Sequence, residues 1–214
     1  MSTHDTQYHD DPIRRFLEPP PLLLIISGPS GVGKDTVLDA MREAGLPFHF
    51  VVTSTSRPPR PNEVDGEDYV FVSRDEFERM IARDELLEYA LVYDQYKGIP
   101  REHVRAALAS GHDVVMRLDV QGAETVKRLV PGAISVFLVA SSMGELEQRL
   151  RSRQSDTPEQ IRVRLAKARS EMEALASFDY VVPNRDDQVA RAVADIDAIL
   201  RAERLRVGRR PIEL

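Results

Sequence analysis

The 214-residue chain is 42% hydrophobic, enough for one well-buried core with small appended units. Its formal charge of −6 excludes bulk attraction to nucleic acid or to an anionic membrane, so any phosphate chemistry must rest on local clusters of Arg and Lys. The lack of cysteine excludes disulfides and Cys-based metal sites and fits a reducing cytoplasm, and no run approaches the ~18 apolar residues of a membrane span.

Residues 1–21 carry Asp5, Asp10, Asp11 and Glu18 against Arg14 and Arg15. This is neither the apolar stretch of a secretory signal nor a basic transit peptide, and it reads as a flexible tail closed by Pro19, Pro20 and Pro21. The run from Leu22 to Ile26 is short and wholly apolar, as expected for a strand buried on both faces of a parallel sheet. A Gly-rich turn follows, then a helical pattern (Val37, Leu38, Met41) closed by Gly45.

Further strand-like runs lie at Phe50 to Val52, Tyr69 to Val72, Val114 to Leu118, Ile134 to Val139 and Tyr180 to Val182. Helix starts are marked by Ser73 with Glu76 and by Ser142 with Glu145. Thr157 with Pro158 and Gln160 opens a longer helix through Ile161, Leu165, Met172 and Leu175. A last helix, about 186 to 204, aligns Val189, Val193, Ile196 and Leu200 on one face. Strands separated by helix-length segments predict an α/β fold, a parallel sheet flanked by helices with right-handed crossovers. The stretch from about 53 to 72 breaks this rhythm and looks like a small β-rich insertion.

Gly28, Pro29, Ser30, Gly31, Val32, Gly33, Lys34, Asp35 and Thr36 follow a buried strand and enter a helix, the context a Walker A loop requires. The glycines let backbone N–H groups turn inward around a phosphate, the helix N-terminus adds its dipole, and Lys34 can reach the β/γ-phosphates. A carboxylate at Asp35, where a hydroxyl normally follows the lysine, would repel a triphosphate unless it points to solvent or holds Mg²⁺ through water. Thr36 or a water is therefore expected to serve the metal.

Downstream, Arg57 and Arg60 lie three apart among prolines, followed by Glu63, Val64, Gly66, Asp68 and Tyr69. Two such arginines can grip a monophosphate as bidentate forks, with Tyr69 donating its hydroxyl. This segment resembles the GMP-binding segment of guanylate kinases, and the resemblance runs from about Leu22 to Arg206. It implies a P-loop NTPase core at 22–52, 113–142 and 166–206. A GMP-binding subdomain would occupy 53–112, with a helical lid at 143–165 and a C-terminal tail at 207–214.

The same resemblance implies the reaction ATP + GMP = ADP + GDP with Mg²⁺, by in-line phosphoryl transfer in the cytoplasm, on small nucleotides as partners. Glu88 then reads the guanine N1–H and N2–H₂ donors, and Thr53 contacts O6. Glu63, Tyr96 and Lys97 complete the GMP site, where Lys97 replaces the family's second tyrosine in a Tyr-Lys-Gly-Ile-Pro wording similar to a plastid-type and bacterial branch. Asp119 ends a strand and would orient GMP or Mg²⁺, alone because Arg117 stands where a second Asp is common. Arg149, Arg153 and Arg164 match the catalytic lid arginines, and Asn184 the adenine-proximal asparagine. A solvated face is the alternative for the arginines crowding 151–210, and a helix-surface role the alternative for Glu88. Two other functions share the pattern in part: a ribose 1,5-bisphosphate phosphokinase, and a non-catalytic binding module.

Overall fold

The computed structural model describes Leu17 and residues 19–61, 63–92, 94–152, 157–210 and 212–214. The expected tail lies almost wholly outside these residues, and so does Arg153.

Strand β1 (Leu23–Ser27) is buried at every position. Helix α1 (Lys34–Glu43) follows it and ends where Gly45, at φ 65°, donates to the Arg42 carbonyl. Strand β2 (Phe48–Phe50) comes next, then the short β3 (Ser54–Thr55) and β4 (Val70–Phe71). Helix α2 (Arg74–Ala82) starts on Ser73, whose hydroxyl accepts from the Glu76 amide; the Glu76 carboxylate does not close the box but pairs with Arg79 and Arg83.

Strands β5 (Leu86–Val92) and β6 (Gln95–Pro100) form a hairpin that the sequence patterns do not mark. Glu88 therefore sits on a strand, not on a helix surface. Helix α3 (Arg101–Ala109), β7 (Asp113–Arg117), α4 (Val120–Leu129) and β8 (Ile134–Val139) return the chain to the core. Helices α5 (Met143–Ser152) and α6 (Pro158–Met172) follow, the latter with the complete Thr157–Gln160 capping box. After β9 (Tyr180–Pro183), α7 (Val189–Arg204) begins three residues later than its pattern suggests, since Asp187 has φ 56°.

Five parallel strands form the main sheet in the order β2-β7-β1-β8-β9. Alternation along β1 sends Leu24 and Ile26 to one core and Leu23 and Ile25 to the other. The first core includes α1 and α7 residues such as Met41 and Ile196, the second α3 and α4 residues such as Val104 and Val126. Because β1 is flanked by β7 and β8, its C-terminal end is the topological switch point, the crevice where ligands bind in open α/β sheets. A second sheet, β4-β3-β6-β5, is built largely by antiparallel pairing and stands beside that crevice. Among the described residues no helix is long and apolar enough to cross a membrane.

Candidate active site

The turn from β1 into α1 depends on glycine at φ values that side chains rarely adopt: 137° at Gly28, 88° at Gly31 and 91° at Gly33. A Cβ on Gly28 would collide with the Leu138 carbonyl, and one on Gly33 would come within 2.6 Å of Asn184 Nδ2. The loop thus closes only without side chains at these points. Lys34 Nζ donates to the carbonyls of Gly28 (2.6 Å) and Pro29 (3.2 Å), folding back into the loop it follows. Burial lowers its pKa from 10.5 to about 8, opposed in part by Glu171 and Asp119. Glu171, on α6, accepts from the Ser30 amide at 3.2 Å, so a carboxylate rests against the same loop.

Behind the loop, Asn184 (4% exposed) donates to the Val32 carbonyl at 2.8 Å. Arg149 donates to that carbonyl at 3.0 Å, to the Asn184 carbonyl at 2.7 Å and to Asp186 at 2.9 Å, and it also pairs with Glu145. Arg149 and Asn184 therefore brace the loop through the Val32 carbonyl. Arg164 lies half-buried on α6, and Thr36 is exposed on the first turn of α1.

Beside the loop lies a cavity of about 260 Å³ between the two sheets, lined by Lys34, Asp35, Thr53, Tyr69, Glu88, Lys97, Arg117 and Asp119 together with Ala90, Gly98, Ile99 and Leu118. Strand β6 aims Lys97 into it. Asp119 caps α4, its Oδ1 accepting from the Gly122 amide at 2.9 Å. A Cβ on Gly122 would stand 3.0 Å from Glu88 Oε1 and 3.3 Å from Asp119 Oδ1, so this glycine gives both carboxylates room. Burial, with the charge of Asp119, pushes the Glu88 carboxyl up to about 7. A second cavity of about 310 Å³, at the N-terminal ends of β8 and β9, is also charged, but its Lys127, Arg206, Asp179 and Glu203 are already paired among themselves.

Four residues expected at the GMP site, Arg57, Arg60, Glu63 and Tyr96, do not line this cavity. Arg57, 7% exposed, is clamped in a two-pronged pair with Glu63 at 2.6 and 2.5 Å, over the rings of Tyr69 and Phe71. That pair holds the Glu63 carboxyl down at about 2. Arg60 is exposed; its backbone amide donates to the Glu63 carboxylate at 2.7 Å and its carbonyl accepts from the Glu63 amide at 3.1 Å. Tyr96 is turned from the cavity, stacked on Phe77 with ring centroids 5.1 Å apart and Arg74 over its other face. The reason is alternation: Lys97 and Tyr96 are neighbours on one strand and must face opposite ways.

Arg117 and Glu171 enter the site without a role assigned from sequence. Arg117 closes β7 two residues before Asp119, which caps α4, a spacing visible in the chain. Glu171 lies seven residues after Arg164, two helical turns along one face of α6.

The guanylate kinase family model matches residues 21–203 of this chain. The chain is 48% identical to the chloroplastic/mitochondrial guanylate kinase 2 of Oryza sativa subsp. japonica, across 92% of its own length and 69% of that protein's. It is also 48% identical to the guanylate kinase of Gloeobacter violaceus, over 83% and 86% of the two chains. Among solved structures, the guanylate kinase of Anaplasma phagocytophilum superposes with a TM-score of 0.70 at 29% identity, covering 89% of each chain.

Proposed function

Since the chain belongs to the guanylate kinase family, we propose that its P-loop and the adjoining cavity transfer the γ-phosphoryl group of ATP to GMP in the cytoplasm. The observation that supports this most directly is the polarity of the cavity. Carboxylates of Glu88 and Asp119 stand toward α4, and the amines of Lys34 and Lys97 share the cavity with them. Guanine presents N1–H and N2–H₂ as adjacent donors, which an ionised Glu88 accepts, while adenine offers no such pair. Thr53 lies within reach of the base, and Lys97 with Tyr69 receives the monophosphate.

ATP occupies the Gly28 to Thr36 loop, with Lys34 leaving the Gly28 carbonyl for the β/γ-phosphates. A GMP phosphate oxygen then attacks the γ-phosphorus; the bond to the ADP oxygen breaks and its electron pair leaves with ADP. The acceptor phosphate is already largely ionised near neutral pH, so no general base is required, and catalysis is positioning and electrostatics. Arg149 keeps the loop rigid through Val32, and Arg164 approaches the transferred group from the lid.

Thr36 and Asp119 offer hard oxygen donors that fit Mg²⁺ through water. No group of three or more His, Asp or Glu that could hold a metal occurs among the described residues, which suits an ion carried mainly by phosphates and water. When bound, Mg²⁺ supplies charge neutralisation at the β- and γ-phosphates.

A coupled assay with GMP, dGMP, AMP and ribose bisphosphate tests the reading. GMP turnover at least 10²-fold more efficient than AMP turnover is expected, because the pairing carboxylate is left unmatched by adenine. Absence of GMP turnover would overturn it, and turnover of the ribose bisphosphate alone would favour a different small-molecule kinase.

Lys34 supplies a second check. A triphosphate beside an amine whose pKa is about 8 raises that pKa. ATP binding at pH 8 is therefore accompanied by uptake of roughly half a proton, and at pH 6.5 by almost none from this group. Calorimetry in two buffers of different ionisation enthalpy reads the difference; equal uptake at both pH values would show that Lys34 is not the group involved.

A further inference from the structure

Arg117 closes β7 on the boundary between the loop and the cavity. Its Nη1 pairs with Asp35, the residue directly after Lys34, and its Nη2 lies 3.5 Å from the Tyr69 hydroxyl. The pair is no fold staple: the Asp35 side chain is 64% exposed and that of Arg117 35%, and such pairs add little to stability. Two other cations gather on the same tyrosine. Lys97 Nζ stands 5.5 Å from the ring centroid, and the Arg57 guanidinium 4.9 Å. Arg57 is spent on Glu63, whereas Lys97 and Arg117 both line the cavity.

We infer that Arg117 binds the acceptor phosphate directly, as a planar fork held between donor and acceptor nucleotides by Asp35. This deepens the proposed GMP kinase activity and rests on it. A guanidinium presents paired N–H donors that match two phosphate oxygens, which the point charge of Lys97 does not. The site it occupies lies between the P-loop and the acceptor phosphate, where the attacking oxygen meets the γ-phosphorus and negative charge must be crowded together. Arg117 neither gains nor loses a proton in the step. Asp35 is a positioning residue, acting through Arg117, and its exposed carboxylate is turned to the guanidinium instead of to the triphosphate.

The alternative is that Arg117 only neutralises Asp35. Steady-state kinetics of Arg117→Met, Asp35→Asn and the double variant separate the two. Loss of a charge-assisted phosphate contact raises KM for GMP about 10- to 100-fold with KM for ATP nearly unchanged, and the double variant is no better toward GMP. Asp35→Asn alone gives a smaller rise in KM for GMP. If neutralisation is the whole role, Arg117→Met raises KM for ATP instead and the double variant returns to parental values; either result overturns the inference. Should Arg117→Met melt early, Arg117→Lys replaces it, with an intermediate KM for GMP expected and a parental one counting against the fork. A parent that turns over no GMP overturns the activity reading instead; calorimetric binding of GMP to parent and variant then decides whether Arg117 holds the phosphate.

Discussion

Lys34→Met lowers kcat by roughly 10³-fold, on the scale of removing one preorganised donor from a charge-developing transition state, while the protein remains folded. Nζ is fixed on the carbonyls of Gly28 and Pro29 at the mouth of the loop, a short reach from where the β- and γ-phosphates sit. Methionine fills the same slot without a charge. Burial already disfavours the ammonium, whose pKa falls from 10.5 to about 8. The folded state therefore binds fewer protons than the unfolded one between those values, and parental stability rises with pH across that window. The variant lacks that rise, so thermal melts at pH 7 and pH 9.5 converge between the two proteins as pH increases. A kcat within tenfold of the parent, from a folded variant, would remove Lys34 from the chemistry.

Glu88→Gln trades function for stability. The raised carboxyl, about 7 against 4.5, means that the folded state holds its proton more tightly than the unfolded chain does. Its contribution is fully present below pH 4.5 and is lost as pH rises through 7. Ionising it in the ligand-free fold costs up to about 3 kcal/mol at pH 8. The glutamine has no such ionisation, so its melting temperature at pH 8 rises by several degrees and at pH 4.5 does not.

Activity moves the other way. Only the carboxylate accepts both guanine donors, and losing a two-pronged charge-assisted contact lowers kcat/KM for GMP by roughly 10²- to 10³-fold. In the parent, KM for GMP climbs as pH falls below 7. The phosphate of GMP also titrates, near a pKa of about 6, but that part of the profile survives in Glu88→Gln and can be subtracted. A parental profile that matches the variant's would show that Glu88 does not read the base.

The amino-acid sequence alone determined the features that are local. The phosphate loop is nine consecutive residues whose backbone does the binding, so Gly28, Gly31, Gly33 and Lys34 carry it wherever the strand and helix beside them form. The caps at Ser73 and Thr157 are likewise contacts across three residues. The inner strands β1, β7 and β8 show because burial on both faces demands nearly continuous apolar runs, whereas the edge strand β2 lies at Phe48–Phe50, shifted from the Phe50 to Val52 run.

What escaped were features decided by chain segments far apart. The β5–β6 hairpin is half-exposed and carries Glu, Tyr and Lys, so no apolar period announces it. Its pleat decides that Lys97 faces the cavity while Tyr96 faces Phe77. Arg57 and Glu63 are close enough in sequence to suggest a pair, yet the same two residues also suit a phosphate clamp, and only the rings of Tyr69 and Phe71 beneath show the packing. Arg149 meets Val32 across 117 positions and Arg117 meets Asp35 across 82. The strength of each charge in the site depends on burial and neighbours that folding alone assembles: Glu88 is an ordinary acid in the chain, and becomes one poised near neutrality only when folding buries it, beside Asp119.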